Sequence, residues 1–287
     1  MTDLSIIEPV DYLLIGHVTQ DLSAQGPTLG GTATYAALTA KAFGLRVGVV
    51  TSCRQELALE ELNGISICRK GSRETSTFIN THTAAGRVQH VKGAADPLSL
   101  ADVPAAWRNA PIVHLGPVLH EIEPDLVGAF PRSMVGLTPQ GWLRQWDAEG
   151  LIHASAWMEA AHVLTHADVA VISAEDVRGD EEVIHEFAQQ LPVLVVTEGA
   201  AGARVFWNGD QRSFRPPEVV ELEPVGAGDI FAASFFIRYQ NTHDAWEAAR
   251  FANLLASKSV TRKNLAGIPT PDEVKQSMAE IIEYRVL

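Results

Sequence analysis

Short, near-continuous apolar runs place the strongest constraint on what this chain can fold into. Ile112–Gly116, Val169–Ser173 and Val193–Thr197 carry few polar side chains, and VLVV within the last is wholly apolar. Strands of this kind are buried on both faces, which demands a parallel sheet with helices on each side. Val10–Gly16, Arg46–Thr51 and Ser133–Thr138 read the same way. Helical patterns fall between the runs at Ala33–Phe43, Glu123–Phe130, Met158–Leu164 and Glu181–Gln190. The last quarter is mostly helical, over Asp229–Tyr239, His243–Val260 and Pro271–Tyr284. The expected fold class is α/β, a doubly wound and mostly parallel sheet flanked by helices.

One region departs from that pattern. Thr75–Val91, TSTFINTHTAAGRVQHV, alternates in two halves around Ala84–Gly86 and reads as a β-hairpin. A hairpin with no helix of its own to cover it suits a small β lid over a site. Its apolar face, Phe78 included, needs the acceptor site or a partner subunit as cover, so a homodimer joined through the lids is expected. No repeat or linker divides the chain. Residues 1–287 therefore read as a single domain with a lid excursion at about 72–93.

Charge and cysteine usage narrow the partners. With 22 Lys+Arg against 35 Asp+Glu, a net charge of −13 and no basic run, nucleic acid and anionic membrane surfaces are excluded as partners. Cys53 and Cys68 form neither a disulfide framework nor a CxxC pair, and the acidic N-terminus resembles no signal peptide. A reducing cytoplasm is expected.

The chemistry concentrates at residues 223–236, EPVGAGDIFAASFF. Gly226 and Gly228 allow successive backbone N–H groups to converge at the start of an apolar helix, where they and the helix dipole favour an anion. Asp229 inside that anion site suits a general base, taking a proton from a hydroxyl while the N–H groups hold charge on a transferring phosphoryl group. Asp229 as an ordinary N-cap is the competing reading. Two further glycine-bearing sites lie at strand ends: Gly16 followed by Asp21, and Gly30–Gly31 opening a helix. A third is Thr197-Glu198-Gly199-Ala200-Ala201-Gly202. The last is followed by a hairpin, ARVFWNGDQRSF, so it is no Rossmann phosphate loop, and GxxxxGK[ST] is absent.

GAGD before a C-terminal helix, TxGxxG some thirty residues upstream and GG opening the first helix together resemble the ribokinase-like (PfkB) carbohydrate kinases. The resemblance runs from Asp21 to the TRKNLAGIPTP segment. It implies a doubly wound α/β domain with a small β lid, and transfer of the γ-phosphate of ATP to a hydroxyl of a sugar, polyol or nucleoside. It implies Asp229 as catalytic base, with Gly226, Ala227 and Gly228 as the anion hole. Thr197, Gly199, Gly202 and Asn253 would bind the nucleotide, while Asp21 and Gly31 would sit in the acceptor pocket with Tyr35, Gln140 and Arg144. The family's water-mediated magnesium position falls at Asp176, where Ser173-Ala174-Glu175-Asp176 replaces NxxE. Magnesium is still expected, because the triphosphate supplies most of its oxygen ligands.

Several positions depart from the family pattern. Glu223 and Pro224 replace the Asp and Thr that open the GAGD motif, which puts monovalent-cation activation in doubt. Tyr35 stands where sugar kinases often carry Asn. Only thirteen residues separate Gly16 from Gly30, too few for the extra lid strands of ribokinase itself. These features, with Pro139–Arg144, are most similar to the inositol-kinase-like branch. A sugar or cyclitol is the expected acceptor. A nucleoside kinase is the alternative, with Tyr35, Phe78 and Trp142 as sources of a base sandwich, and a non-catalytic sugar- or nucleotide-binding protein is a third reading. His114 and His120 are candidate pocket residues. His162 and His166, spaced i, i+4, lack a third metal ligand nearby.

Overall fold

The computed structural model describes residues 7–23, 26–83 and 86–279. The chain enters the sheet at β1 (Tyr12–Ile15), leaves it for two short strands, β2 (Thr19–Ser23) and β3 (Gly26–Gly30), and turns directly into α1 (Gly31–Ala42). It continues through β4 (Val47–Cys53) and β5 (Ser66–Gly71) to the hairpin β6 (Thr77–Thr83) and β7 (Gly86–Gly93). Strands β8 (Ile112–Leu115) and β9 (Met134–Leu137) precede a small hairpin, β10 (Arg144–Trp146) and β11 (Ile152–Ala154). Then α2 (Ala160–Leu164), β12 (Val169–Ser173), α3 (Glu181–Ala188) and β13 (Val193–Thr197) alternate. The hairpin β14 (Ala203–Trp207) and β15 (Asp210–Phe214) follows, and α4 (Ala227–Thr242), α5 (Ala245–Ser259) and α6 (Pro271–Ala279) complete the described chain.

Nine strands form one sheet in the order β15-β14-β13-β12-β9-β8-β1-β4-β5. All neighbours from β5 to β13 are parallel, and β14 and β15 are antiparallel. The apolar runs dictate this arrangement: β1, β4, β8 and the first four residues of β12 and β13 are fully buried. One face packs on Trp107, Phe130, Trp142, Trp157 and Phe187. The other packs on the alanine-rich face of α1 and on Phe231, Phe235 and Phe236 of α4. From β1 the chain goes to one side through β4 and β5, and later to the other through β8. The β1–β8 junction is therefore the topological switch point, where open α/β sheets place ligands. Gly16 and Gly116 leave their strands there side by side, so closely that a Cβ on Gly16 would meet the Gly116 carbonyl oxygen. Among the described residues no helix is long and apolar enough to cross a membrane.

The lid is larger than the sequence suggests. β6 and β7 join β2 and β3 in a second sheet of order β3-β2-β6-β7. The short stretch after Gly16 thus suffices for two lid strands, because β2 pairs parallel with β6 across the chain, Asp21 opposite Phe78. Local pattern could not reveal that partner. The expected hairpin tip, Ala84–Gly86, lies mostly outside the described residues, only Gly86 being described. Phe78 is buried within this chain, against Val118 and Leu119 with Val91 and Ile152 alongside, so its burial needs no partner subunit, and the argument for a dimer through the lids loses that premise. A second departure is Glu123–Phe130: the helix there is a 3-10 turn over Pro124–Ala129.

The described chain crosses between sheet and lid four times, and one buried histidine ties three of those crossings together. His17, before β2, pairs through Nδ1 with the Ser76 hydroxyl at 2.7 Å, and its Nε2 donates to the Asp96 carbonyl at 3.0 Å. Ser76 precedes β6 and Asp96 follows β7. Glu121, also buried, accepts from the backbone N–H groups of His17, Val118 and Leu119 at 3.1, 2.9 and 2.7 Å. Neither residue belongs to a readable motif.

His114 is a core residue, not a pocket one. Nδ1 pairs with the Tyr12 hydroxyl at 2.7 Å, Nε2 with Thr138 Oγ1 at 2.9 Å, and the ring meets Phe236 edge-on. Burial holds its pKa down to about 3. Between the unfolded value near 6.5 and about 3, the unfolded chain binds a proton that the native chain refuses, so stability falls as pH falls through that window. Urea unfolding should show about 1.4 kcal/mol lost per pH unit from this group. A folded His114→Gln variant should show a correspondingly shallower pH slope; an unchanged slope would contradict the assignment.

Candidate active site

The start of α4 carries the candidate base. Gly226 is its N-cap at φ 79°, a left-handed conformation that favours glycine, and a Cβ there would fall on the ring of Tyr35. Asp229 lies in the first helical turn, where Oδ1 accepts from the Thr32 hydroxyl at 2.7 Å. Gly228 faces open space: beyond its own helix, no atom lies within 4 Å of where a Cβ would stand. The Ala227 N–H is turned inward and donates to the Pro224 carbonyl at 3.1 Å. Of the three residues expected to line an anion hole, Gly228 has the open approach, Gly226 shapes the turn, and Ala227 closes it.

The start of α1 joins this base to the lid. Asp21 lies on β2, accepts from Asn80 Nδ2 at 3.2 Å, and packs its carboxylate over Gly30, with Cγ 3.1 Å from where a Cβ would stand. Gly31 has φ 79°, and a Cβ on it would come within 2.7 Å of Thr19 Cγ2. The next residue, Thr32, reaches Asp229. The stretch Gly30–Thr32 therefore touches the acid of the lid on one side and the acid of α4 on the other, above the Gly16–Gly116 switch point. Thr32 has no sequence signature, because its partner is 197 residues away.

Tyr35 corrects an expectation. It sits one helical turn beyond Gly31, and its ring is buried under Gly226 in a cluster with Ile230, Phe251, Leu255 and Val274. The ring therefore supports the glycine turn from the apolar side instead of lining an acceptor pocket.

The residues expected at a nucleotide converge elsewhere on the same sheet edge. The Thr197 hydroxyl donates to the Ile172 carbonyl at 3.2 Å, and Glu198 N–H closes the loop on the Gly202 carbonyl at 2.7 Å. Gly199 and Gly202 have φ of 56° and 101°, and a Cβ on Gly202 would strike the Phe214 carbonyl. That carbonyl also accepts from Asn253 Nδ2 at 3.0 Å, and Asn253 is buried. Loop 197–202, the end of β15 and α5 thus meet at Phe214. The amide of Asn253 is used to hold them together.

Gln140 and Asp176 also meet, Nε2 donating to Oδ1 at 3.2 Å, while Asp176 Oδ2 accepts from the Ser173 N–H at 2.9 Å. The latter bond belongs to a capping box with Ser173. Arg144 opens β10, and its carbonyl accepts from His120 Nε2, which makes His120 a hairpin anchor. The hairpin it anchors borders the lid, Val91 N–H donating to the Gly150 carbonyl at 2.8 Å. Among the described residues no group of three or more His, Cys, Asp or Glu side chains could hold a metal ion. His162 instead pairs with Asp125 at 2.9 Å.

Comparison with known proteins gives this geometry its context. The pfkB family of carbohydrate kinases matches residues 153–272. Inositol 3-kinase from Zea mays is 27% identical over 214 residues, 74% of this chain and 55% of that protein. Inositol 3-kinase from Oryza sativa subsp. japonica is 25% identical over 305 residues, covering 98% and 75% of the two chains. The match thus spans about half the length of the maize protein. Among solved structures, a pyrophosphate-dependent kinase in the ribokinase family, complexed with a pyrophosphate analog and myo-inositol, superimposes with a TM-score of 0.75. It is 21% identical, and the match covers 92% of this chain and 99% of that one.

Proposed function

We propose, from the premise that this chain belongs to the ribokinase-like (PfkB) carbohydrate kinases, in their inositol-kinase branch, that it phosphorylates one hydroxyl of a cyclitol. The observation that carries the reading is the contact chain Asp21–Gly30 and Thr32–Asp229, which ties an acid suited to neighbouring hydroxyls to an acid at a helix N-terminus. Asp21 accepts hydrogen bonds from two adjacent hydroxyls of the acceptor. Asp229 takes the proton of a third as that oxygen attacks the terminal phosphorus of the donor. A new O–P bond forms, the bond from phosphorus to the bridging oxygen breaks, and the shortened phosphate leaves. The N-terminus of α4, open at Gly228, holds charge on the transferring group.

ATP is the proposed donor, bordered by Thr197, Gly199, Gly202 and Asn253. Magnesium, when bound with it, neutralises phosphate charge. The protein's share fits that role: each oxygen of Asp176 accepts a hydrogen bond and keeps a lone pair for bound water. Pyrophosphate as donor is a second reading, favoured by two observations. The Asn253 amide is committed to Phe214, and the pyrophosphate-dependent relative shares the fold. Free cysteines at positions 53 and 68 suit a cytoplasmic enzyme.

Phosphorus NMR of the purified chain with inositols, fructose, ribose and nucleosides tests this, each offered ATP or pyrophosphate with magnesium. A phosphomonoester is expected on an inositol with at least one donor. A product only on a nucleoside would replace the cyclitol by the alternative acceptor, and no product with any pair would sink the kinase reading.

A further inference from the structure

The hydroxyl of Thr32 makes an unusual choice of partner for its helix. Threonines within helices commonly turn their hydroxyls back on the carbonyl four residues earlier. Thr34 and Thr39 of α1 do so, donating to the carbonyls of Gly30 and Tyr35 at 2.6 and 2.8 Å. Thr32, in the first turn, instead donates across to Asp229 Oδ1 at 2.7 Å. It is buried, and its methyl is held from the other side by the end of β8. A Cβ on Gly116 would come within 2.7 Å of Thr32 Cγ2. The backbone at the switch point thus fits the methyl and turns the hydroxyl to the acid.

We infer that Thr32 is a positioning residue that sets the plane of the Asp229 carboxylate and couples it to the lid through Gly30 and Gly31. The inference rests on Asp229 being the base. A hydroxyl whose side chain is wedged through its methyl against Gly116 restricts rotation of the carboxylate about its Cβ–Cγ bond, and a base is effective only along the direction in which it meets the proton. Because Gly30 lies under Asp21, a shift of α1 that moves the acceptor-binding acid moves Thr32 with it.

The test compares Thr32→Val and Thr32→Ser by steady-state kinetics, with the better donor and inositol, and with thermal melting as a check of folding. Thr32→Val, near-isosteric but without a donor, should lower kcat about 10- to 100-fold with KM for both substrates unchanged. Thr32→Ser should recover most of that loss. In the double variant with Asp229→Asn, removal of Thr32 should add nothing further, since it acts only through the carboxylate. Where Thr32→Val melts early, Thr32→Ala carries the same expectations without a second methyl to house. Wild-type kcat in Thr32→Val, equal losses in Val and Ser, or an additive double variant would each overturn the inference. Full activity in Asp229→Asn alone would instead remove the base reading on which it rests, so the two failures are separable.

Discussion

Asp229→Asn should slow phosphoryl transfer by about 10²–10⁴-fold, the usual worth of a positioned general base, while binding of the donor changes little. Asparagine has the shape of aspartate, and its amide oxygen can still accept the Thr32 hydroxyl that now reaches Oδ1. What disappears is the capacity to take the acceptor's proton, together with one negative charge at the start of α4. Losing that charge at a helix N-terminus, the proposed phosphate site, eases the approach of an anionic donor. The expected signature is therefore a collapsed kcat with donor KM held or lowered. Isothermal titration with a non-hydrolysable donor analogue separates the two effects. A variant that kept its kcat on the true acceptor would return Asp229 to an N-terminal helix residue with a structural role only.

The parts of this molecule legible in its sequence are those in which local pattern and tertiary environment agree. Val169–Ser173 and Val193–Thr197 form strands over the same residues that their apolar runs mark out, because a strand buried on both faces leaves no choice of side chain. The glycine motif before α4 was legible because a left-handed turn requires glycine at Gly226. What could not be read depends on partners distant in the chain. β2 and β3, with the sequences TQDLS and GPTLG, lack a strand-like pattern and exist because β2 pairs with the distant β6 and β3 pairs with β2. Tyr35 has the position of a site residue in its own helix, and only Gly226 across the fold shows why its ring is there. Phe78 has the pattern of an exposed lid residue, and Val118 and Leu119, from the loop after β8, bury it together with Val91 and Ile152. Thr32 carries no signal at all, since a threonine after two glycines is unremarkable without Asp229.

Gly226 and Gly228 should fail differently when substituted, although both belong to one motif. Gly226→Ala puts a side chain on a residue at φ 79° and drives its Cβ onto the Tyr35 ring. Backbone strain and overpacking of a buried cluster each cost about 1–3 kcal/mol, so the variant should lose roughly 2–6 kcal/mol by urea unfolding, and activity with it. Tyr35 cannot simply withdraw, because Phe251, Leu255 and Val274 close the cluster behind it. Gly228→Val meets neither obstacle: its backbone is not left-handed and, beyond its own helix, no atom lies within 4 Å of the added Cβ. Both glycines read in the sequence as conformational; the left-handed backbone is at Gly226 alone. Gly228→Val should therefore melt close to wild type yet lose about 10²-fold or more in kcat, because the isopropyl group fills the space before the helix N-terminus where phosphoryl charge must be held. Restoring stability by other means should not restore its activity. If instead Gly228→Val unfolded early with kcat per folded molecule intact, the open face at Gly228 would be a gap in packing and the anion would have to bind elsewhere.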